Sequence, residues 1–242
     1  MQLYSKSVAC ILTALLFLVC LPGCSDFTDY AHYDSRLKVG VFGGSISVRK
    51  ESEEAKNIWQ AYMSNINIIS CGIEGAGFSS ITHNENIPVQ IARAPAFDVY
   101  ILWASSNDVA RSPLGLTTEQ VDSTQDGGII KSIRLIKRKN KQALILFFTS
   151  VPRFDSPAYR YRMQDYVNDQ IDICDRSNIP YLDLFRLSGF DSSNFQPYYL
   201  PDRTHMSAEG YQQIGYMQME FIRENIKNYV GNSRLRRNRI EL

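Results

Sequence analysis

Four short stretches of this 242-residue chain carry side chains or backbone groups that could do chemistry together. In Gly43-Gly44-Ser45 a serine follows a glycine pair at the end of the apolar run Leu37-Lys38-Val39-Gly40-Val41-Phe42. Glycine allows tight turns and close approach by other groups, so Ser45 would stand at the carboxyl end of a buried strand, where open α/β sheets hold their ligands. A serine hydroxyl is a poor nucleophile until a base removes its proton. Asp202-Arg203-Thr204-His205 could supply that base. A carboxylate three residues ahead of an imidazole can hold Nδ1 and leave Nε2 free. Asn107, in Ser105-Ser106-Asn107-Asp108, could donate from its amide, and Gly75, in Cys71-Gly72-Ile73-Glu74-Gly75-Ala76-Gly77, could donate from its backbone. Each residue also has an ordinary reading. Ser45 could cap a strand–helix junction, Asn107 could cap a helix, Gly75 could be a loop glycine, and His205 could lie at the surface or in packing. Their placement at the ends of successive strands and at the head of the last helix favours chemistry.

The elements that must position these residues follow from hydropathy. Short, continuous apolar runs recur at Leu37–Gly43, Ile66–Cys71, Phe97–Trp103, Ala143–Thr149 and Ile179–Leu184, as strands buried on both faces should. Helical periodicity lies between them. Glu51–Ser64 turns Ala55, Ile58, Trp59 and Tyr62 inward, Tyr159–Arg176 turns Tyr166, Val167, Ile171 and Cys174 inward, and Ile129–Lys139 and Ser207–Tyr229 are also helical. Alternating strands and helices with right-handed crossovers predict a three-layer α/β/α domain around a five-stranded parallel sheet of flavodoxin-like order 2-1-3-4-5. The stretch from Val109 to Gly128, with Pro113, Gly115 and an Asp126-Gly127-Gly128 turn signal, is expected to be an irregular, substrate-facing lid.

Several chemistries are excluded by what the chain lacks. There is no Gly-x-Ser-x-Gly elbow, Gly-x-Gly-x-x-Gly fingerprint or Gly-Lys-Ser/Thr phosphate loop. Three histidines with no Cys/His or His-x-x-x-His spacing argue against zinc. A net charge of +1 gives no reason to expect nucleic acid as a partner. The basic Lys137-Arg138-Lys139 falls at the end of a helix, where the dipole favours cations.

The N-terminus reads as a targeting segment. Val8 to Leu21 is apolar but short for a bilayer span, which needs about 20 residues. It ends in Leu21-Pro22-Gly23-Cys24, which resembles the bacterial lipobox. That resemblance implies a signal peptide over 1–23, lipidation of Cys24, and a tether over 24–36 holding the protein to a membrane of the cell envelope. A catalytic domain over 37–230 and a basic, frayed tail over 231–242 complete the expected organisation. Cys71 and Cys174 then remain, on elements placed at opposite sides of the sheet, and are expected to be free thiols.

The four chemical stretches, taken in order, resemble the blocks of the SGNH hydrolases, the GDSL esterase/lipase family. Phe42-Gly43-Gly44-Ser45 matches the first block, Gly75 the second, Ser105-Ser106-Asn107-Asp108 the third, and Asp202-Arg203-Thr204-His205 the last. The family usually has Gly-Asp-Ser in the first block and Gly-x-Asn-Asp in the third, so Gly44 and Ser105 depart from it. Placing the second block at Gly75 rather than Gly77 is a choice of alignment. The resemblance implies a Ser45–His205–Asp202 triad, with an oxyanion hole formed by the N–H groups of Ser45 and Gly75 and by Asn107 Nδ2. It implies no metal or organic cofactor. The expected protein is a monomeric, lipid-anchored serine esterase whose substrate is an acyl ester, with acetylated glycans as candidates; Trp103, Tyr198 and Tyr199 could line a sugar site, but core or rim packing is the favoured reading of them. Two other readings stand beside it: a non-catalytic envelope binding lipoprotein on the same fold, and an O-acyltransferase using the same triad.

Overall fold

The computed structural model describes residues 36–115 and 122–240, with side chains as far as Gly231. The expected signal peptide, Cys24 and the tether up to Ser35 lie outside the described residues, as do 116–121 of the expected lid. Strands β1 (Leu37–Gly43), β2 (Ile66–Ser70), β3 (Val99–Trp103), β4 (Leu144–Phe148) and β5 (Tyr181–Leu182) form one parallel sheet in the order β2-β1-β3-β4-β5. This is the predicted order. After β1 the chain moves outward to β2 and then crosses back to β3 on the other side of β1. The reversal opens a crevice at the carboxyl ends of β1 and β3.

Alternate residues of the central strands feed two separate cores. Val39, Val41, Val99, Ile101 and Trp103 pack with Trp59 of α2 (Glu53–Tyr62) and with Tyr211 and Ile214 of α8 (Ala208–Ile240). Phe42, Tyr100, Leu102 and Phe147 pack on the opposite face with Ile91 of α3 (Ile87–Arg93) and Ile129 of α5 (Gln125–Lys139). Burial on both faces explains why these strands read as unbroken apolar runs. Trp103 and Tyr199 belong to the core, and the Tyr199 hydroxyl donates to Pro152 O at 2.7 Å. Tyr198 packs against the same core.

Several elements differ from expectation for identifiable reasons. Asp126-Gly127-Gly128 is no turn but the first turn of α5, capped by Thr124, whose Oγ1 accepts from the Gly127 N–H at 3.0 Å. Gly128 is needed there for space, since a Cβ would lie 2.1 Å from Phe78 O. Helices α3 and α4 (Asn107–Arg111) stand where none was expected. α3 is short but has an Asn86 cap and a proline in its first turn. In α2 the inner face misses Tyr62, which is exposed. In α6 (Pro157–Ser177) the inner face runs through Met163, Tyr166, Val167, Gln170, Ile173 and Cys174, with Ile171 to the side. β5 contracts to a pair of residues because Asp183 already caps α7 (Leu184–Leu187). The backbone of α8 continues to Ile240, through most of the tail expected to fray over 231–242. Cys71 and Cys174 are free thiols, as predicted.

Gly128→Ala should therefore destabilise the fold by about 1–3 kcal/mol through overpacking against the Phe78 backbone, although alanine is the better helix former. Urea unfolding of the two proteins measures it, and an unchanged or raised midpoint would contradict it.

Candidate active site

Ser45 is set by crowding around the residues before it. Gly43 ends β1, and a Cβ there would meet Ser47 Oγ at 2.7 Å and Trp103 O at 2.8 Å. A Cβ on Gly44 would meet Ala76 O at 2.4 Å, Asn107 Nδ2 at 3.0 Å and the Ser105 Cβ at 3.1 Å. The φ of Gly44, −94°, is open to any residue, so the obstacle is space alone. Ser45 then opens the single turn α1 (Ser45–Val48). Ser47 Oγ donates to Gly44 O at 2.8 Å, and the Tyr211 hydroxyl of α8 donates to Ile46 O at 2.7 Å. Ser45 is largely buried, with 7% of its surface exposed.

His205 arrives from a hairpin closed by Leu200 N–H to His205 O (2.8 Å) and Ser207 N–H to Tyr198 O (2.9 Å). Asp202 organises the turn. Its Oδ1 accepts from the N–H groups of Thr204 and His205, each at 2.9 Å, while Arg203, between Asp202 and Thr204, is held at φ 56°. A non-glycine residue at positive φ costs energy that the surrounding bonds must offset. The other oxygen, Oδ2, lies 2.8 Å from His205 Nδ1, and His205 Nε2 lies 3.0 Å from Ser45 Oγ. Partial burial would raise the Asp202 carboxyl, but the backbone N–H and imidazole of His205, with the Thr204 N–H, outweigh it and hold the group at about 2. An ionised carboxylate only accepts hydrogen bonds. The proton must therefore sit on Nδ1, which leaves the Nε2 lone pair facing the serine hydroxyl.

The carboxyl ends of β2 and β3 bring donors to the same place. Gly75 has φ +79°, a conformation that L side chains rarely adopt, and its N–H has no partner among the described residues. Gly77 differs: its N–H donates to Thr82 Oγ1 at 3.1 Å, and a Cβ there would lie 2.6 Å from the Asp108 carboxylate. Of the two candidate glycines, Gly75 is thus the one whose N–H is free, and it is the one chosen from the sequence. Ser106 occupies the cap position of α4, so Asn107 is not the helix cap. Asn107 Nδ2 lies 2.9 Å from Ala76 O and 3.1 Å from Ser105 Oγ, and those two oxygens are 2.8 Å apart. From this triangle the acceptors subtend roughly 55° at Nδ2, whereas the two amide hydrogens diverge by about 120°. Both acceptors thus lie to one side of the amide nitrogen, so one of its two N–H groups can point away from them.

The two departures from the family pattern fit one another. The Ser105 hydroxyl donates to Ala76 O at 2.8 Å and steadies Asn107, and its Cβ occupies space beside Gly44. A side chain at 44 and one at 105 compete for this volume. Behind them the buried Asp108 carboxylate accepts from the N–H groups of Phe78 (2.8 Å) and Ser79 (2.9 Å), tying the Gly75 loop to α4. Burial pushes that carboxyl up to about 6 against the pull of the two N–H groups. Sequence reading missed the supporting roles of Asp108 and Tyr211, because no local pattern encodes a bond spanning 30 or 165 residues. Among the described residues no group of three or more His, Cys, Asp or Glu could hold a metal ion.

A family model described as the GDSL-like lipase/acylhydrolase family matches residues 41–213. Among solved structures, a Lactobacillus plantarum protein is 19% identical with a TM-score of 0.65, covering 78% of this chain and 98% of its own. A lipase/acylhydrolase from Enterococcus faecalis is 16% identical with a TM-score of 0.56, over 77% of this chain and 95% of its own. An acetylxylan esterase from Geobacillus stearothermophilus is 18% identical with a TM-score of 0.55, over 78% and 94%. At these identities the likeness carries the fold. No curated protein matches the chain.

Gly44→Asp, which restores the acid usual in the family, should destabilise this protein by about 1–3 kcal/mol because no space exists for it; an unchanged denaturant midpoint would contradict that. The Asp202 carboxyl titrates below its ordinary value, so its stabilising contribution is complete above about pH 4 and is lost as pH falls toward 2. The melting-temperature gap between wild type and Asp202→Asn should be widest above pH 4 and narrow toward pH 2. A gap that widens on acidification would contradict the assignment.

Proposed function

The chain belongs to the GDSL-like lipase/acylhydrolase family, and from that premise we propose that it is a serine esterase cleaving acyl esters, acetyl esters among them. The observation that carries this reading is the relay from Asp202 Oδ2 to His205 Nδ1 (2.8 Å) and from His205 Nε2 to Ser45 Oγ (3.0 Å). Both are hydrogen-bond distances, and the second is within reach for proton transfer. In the proposed reaction Ser45 Oγ attacks the ester carbonyl carbon while Nε2 takes the hydroxyl proton. The charge that builds on the carbonyl oxygen is met by the N–H groups of Ser45 and Gly75 and by the open N–H of Asn107. His205 gives its proton to the departing alkoxide, and the acyl group stays on Ser45. A water molecule, deprotonated by Nε2, then attacks the acyl carbon. The proton returns to Ser45 Oγ and the acid leaves. Asp202 holds the Nδ1–H tautomer throughout and stabilises the imidazolium.

The Leu21-Pro22-Gly23-Cys24 stretch supports a lipid anchor on Cys24 and a place in the cell envelope. For the substrate, the shared fold with an acetylxylan esterase makes acetylated glycans the first class to assay. Trp103 and Tyr199 do not add to that choice, since both are core residues.

Ser45→Ala should abolish turnover of 4-nitrophenyl acetate, and Asn107→Ala should lower kcat by about 10²–10³, the cost of one lost oxyanion donor. Steady-state kinetics across short acyl esters and acetylated glycans tests both. Equal rates in wild type and Ser45→Ala would remove Ser45 as the nucleophile.

A further inference from the structure

Beside the Asp202–His205 hairpin lies an open groove of about 620 Å³, lined by Phe154, Arg160, Tyr161, Phe195 and Arg203 among others. It shares its wall with the site. Arg203 sits between Asp202 and His205, and the Phe154 N–H donates to Arg203 O at 2.9 Å. Arg153, also on the groove, reaches Ser106 Oγ at 3.3 Å, next to Asn107.

The floor is a stacked pair of rings, Phe154 and Phe195, with centroids 4.5 Å apart and planes inclined by 15°. Each ring carries a guanidinium. Arg160 lies 5.3 Å from the Phe154 centroid and Arg203 lies 5.9 Å from that of Phe195. Cation–π contact of this kind fixes a guanidinium in place and leaves its N–H fork uncommitted.

The charges around it are unevenly spent. Arg153 is paired with Asp155 through two nitrogens. Arg160 and Arg203 have no ion-pair partner among the described residues. Asp191 lies within the field of Arg160, but its Oδ1 accepts from Ser193 and Asn194. Tyr161, on the groove, is 79% exposed and offers a further apolar surface.

We propose that this groove holds an anionic group, a carboxylate or a phosphate, on the same molecule whose ester bond Ser45 cleaves; the proposal rests on the esterase reading above. Guanidinium forks match the paired oxygens of both anions. The aromatic floor would contact the apolar face of whatever carries the charge. The protein would then select acyl esters of anionic compounds over neutral ones of the same size.

The test is calorimetric titration of the purified protein, which needs no turnover. The probes are an oligogalacturonate, its fully methyl-esterified neutral form, and a polyglycerol phosphate of similar length. At least one anionic oligomer should bind, and the neutral one should bind at least about tenfold more weakly. Binding should weaken as salt rises from about 0.05 M to about 0.5 M. Tighter binding of the first anion assigns a carboxylate, and of the second a phosphate. Arg160→Gln and Arg203→Gln should each weaken binding by about tenfold or more, as loss of a charge-assisted fork implies. Arg160 is remote in sequence from the hairpin, so its variant isolates the groove from any disturbance at Asp202. Equal binding of charged and neutral oligomers, no binding of either anion, or wild-type affinity in both variants would overturn the proposal. Anion binding without ester hydrolysis would count against the esterase reading alone, and hydrolysis without anion binding against the groove alone.

Discussion

The contact between His205 Nε2 and Ser45 Oγ, 3.0 Å across 160 residues of chain, is the constraint on which the rest of the structure depends. A hydrogen bond of that length tolerates little drift, and its two ends come from opposite ends of the domain. Ser45 is held by β1, the middle of three paired strands, and by glycines that leave no slack around Gly43 and Gly44. His205 is held by a closed hairpin at the head of α8. The two supports are themselves joined. Tyr211, six residues beyond His205, donates to Ile46 O and packs its ring against Trp103 of β3, with centroids 6.2 Å apart.

Electrostatics divides the work between two aspartates. Asp202 is partly exposed, is surrounded by N–H donors and stays ionised, so it can fix a tautomer. Asp108 is fully buried and carries a raised pKa, yet it accepts two backbone N–H groups and so shapes the loop that presents Gly75. One orients the imidazole, and the other orients the loop whose N–H the proposed reaction places at the oxyanion.

Much of this was legible in the chain, and the pattern of what was not is physical. The sheet order followed from five apolar runs, because strands covered on both faces carry an unbroken signal. Ser45, Gly75 and Asn107 stood out in the chain because each follows a strand, and Asp202 and His205 because they precede the last helix; the fold joins Ser45, His205 and Asp202 by hydrogen bonds. Helices α3 and α4 were missed because a helix of seven or five residues holds too little periodicity. Asp126-Gly127-Gly128 was misread because glycines that permit a turn also permit close packing, and only the Phe78 carbonyl decides between them. The consequence of Gly44 needed coordinates as well. Its meaning lies in Ala76 O and the Ser105 Cβ, which neighbour it only in space.

The central claim is that Ser45, and no other serine, is the activated nucleophile. Ser47 lies in the same tryptic peptide and is also buried, but its hydroxyl already donates to Gly44 O. Wild-type protein treated with a serine-directed fluorophosphonate, digested and sequenced by fragmentation mass spectrometry places the adduct. A single modification on Ser45 is expected. A modification on Ser47 or any other residue, or no modification in folded protein, would contradict it.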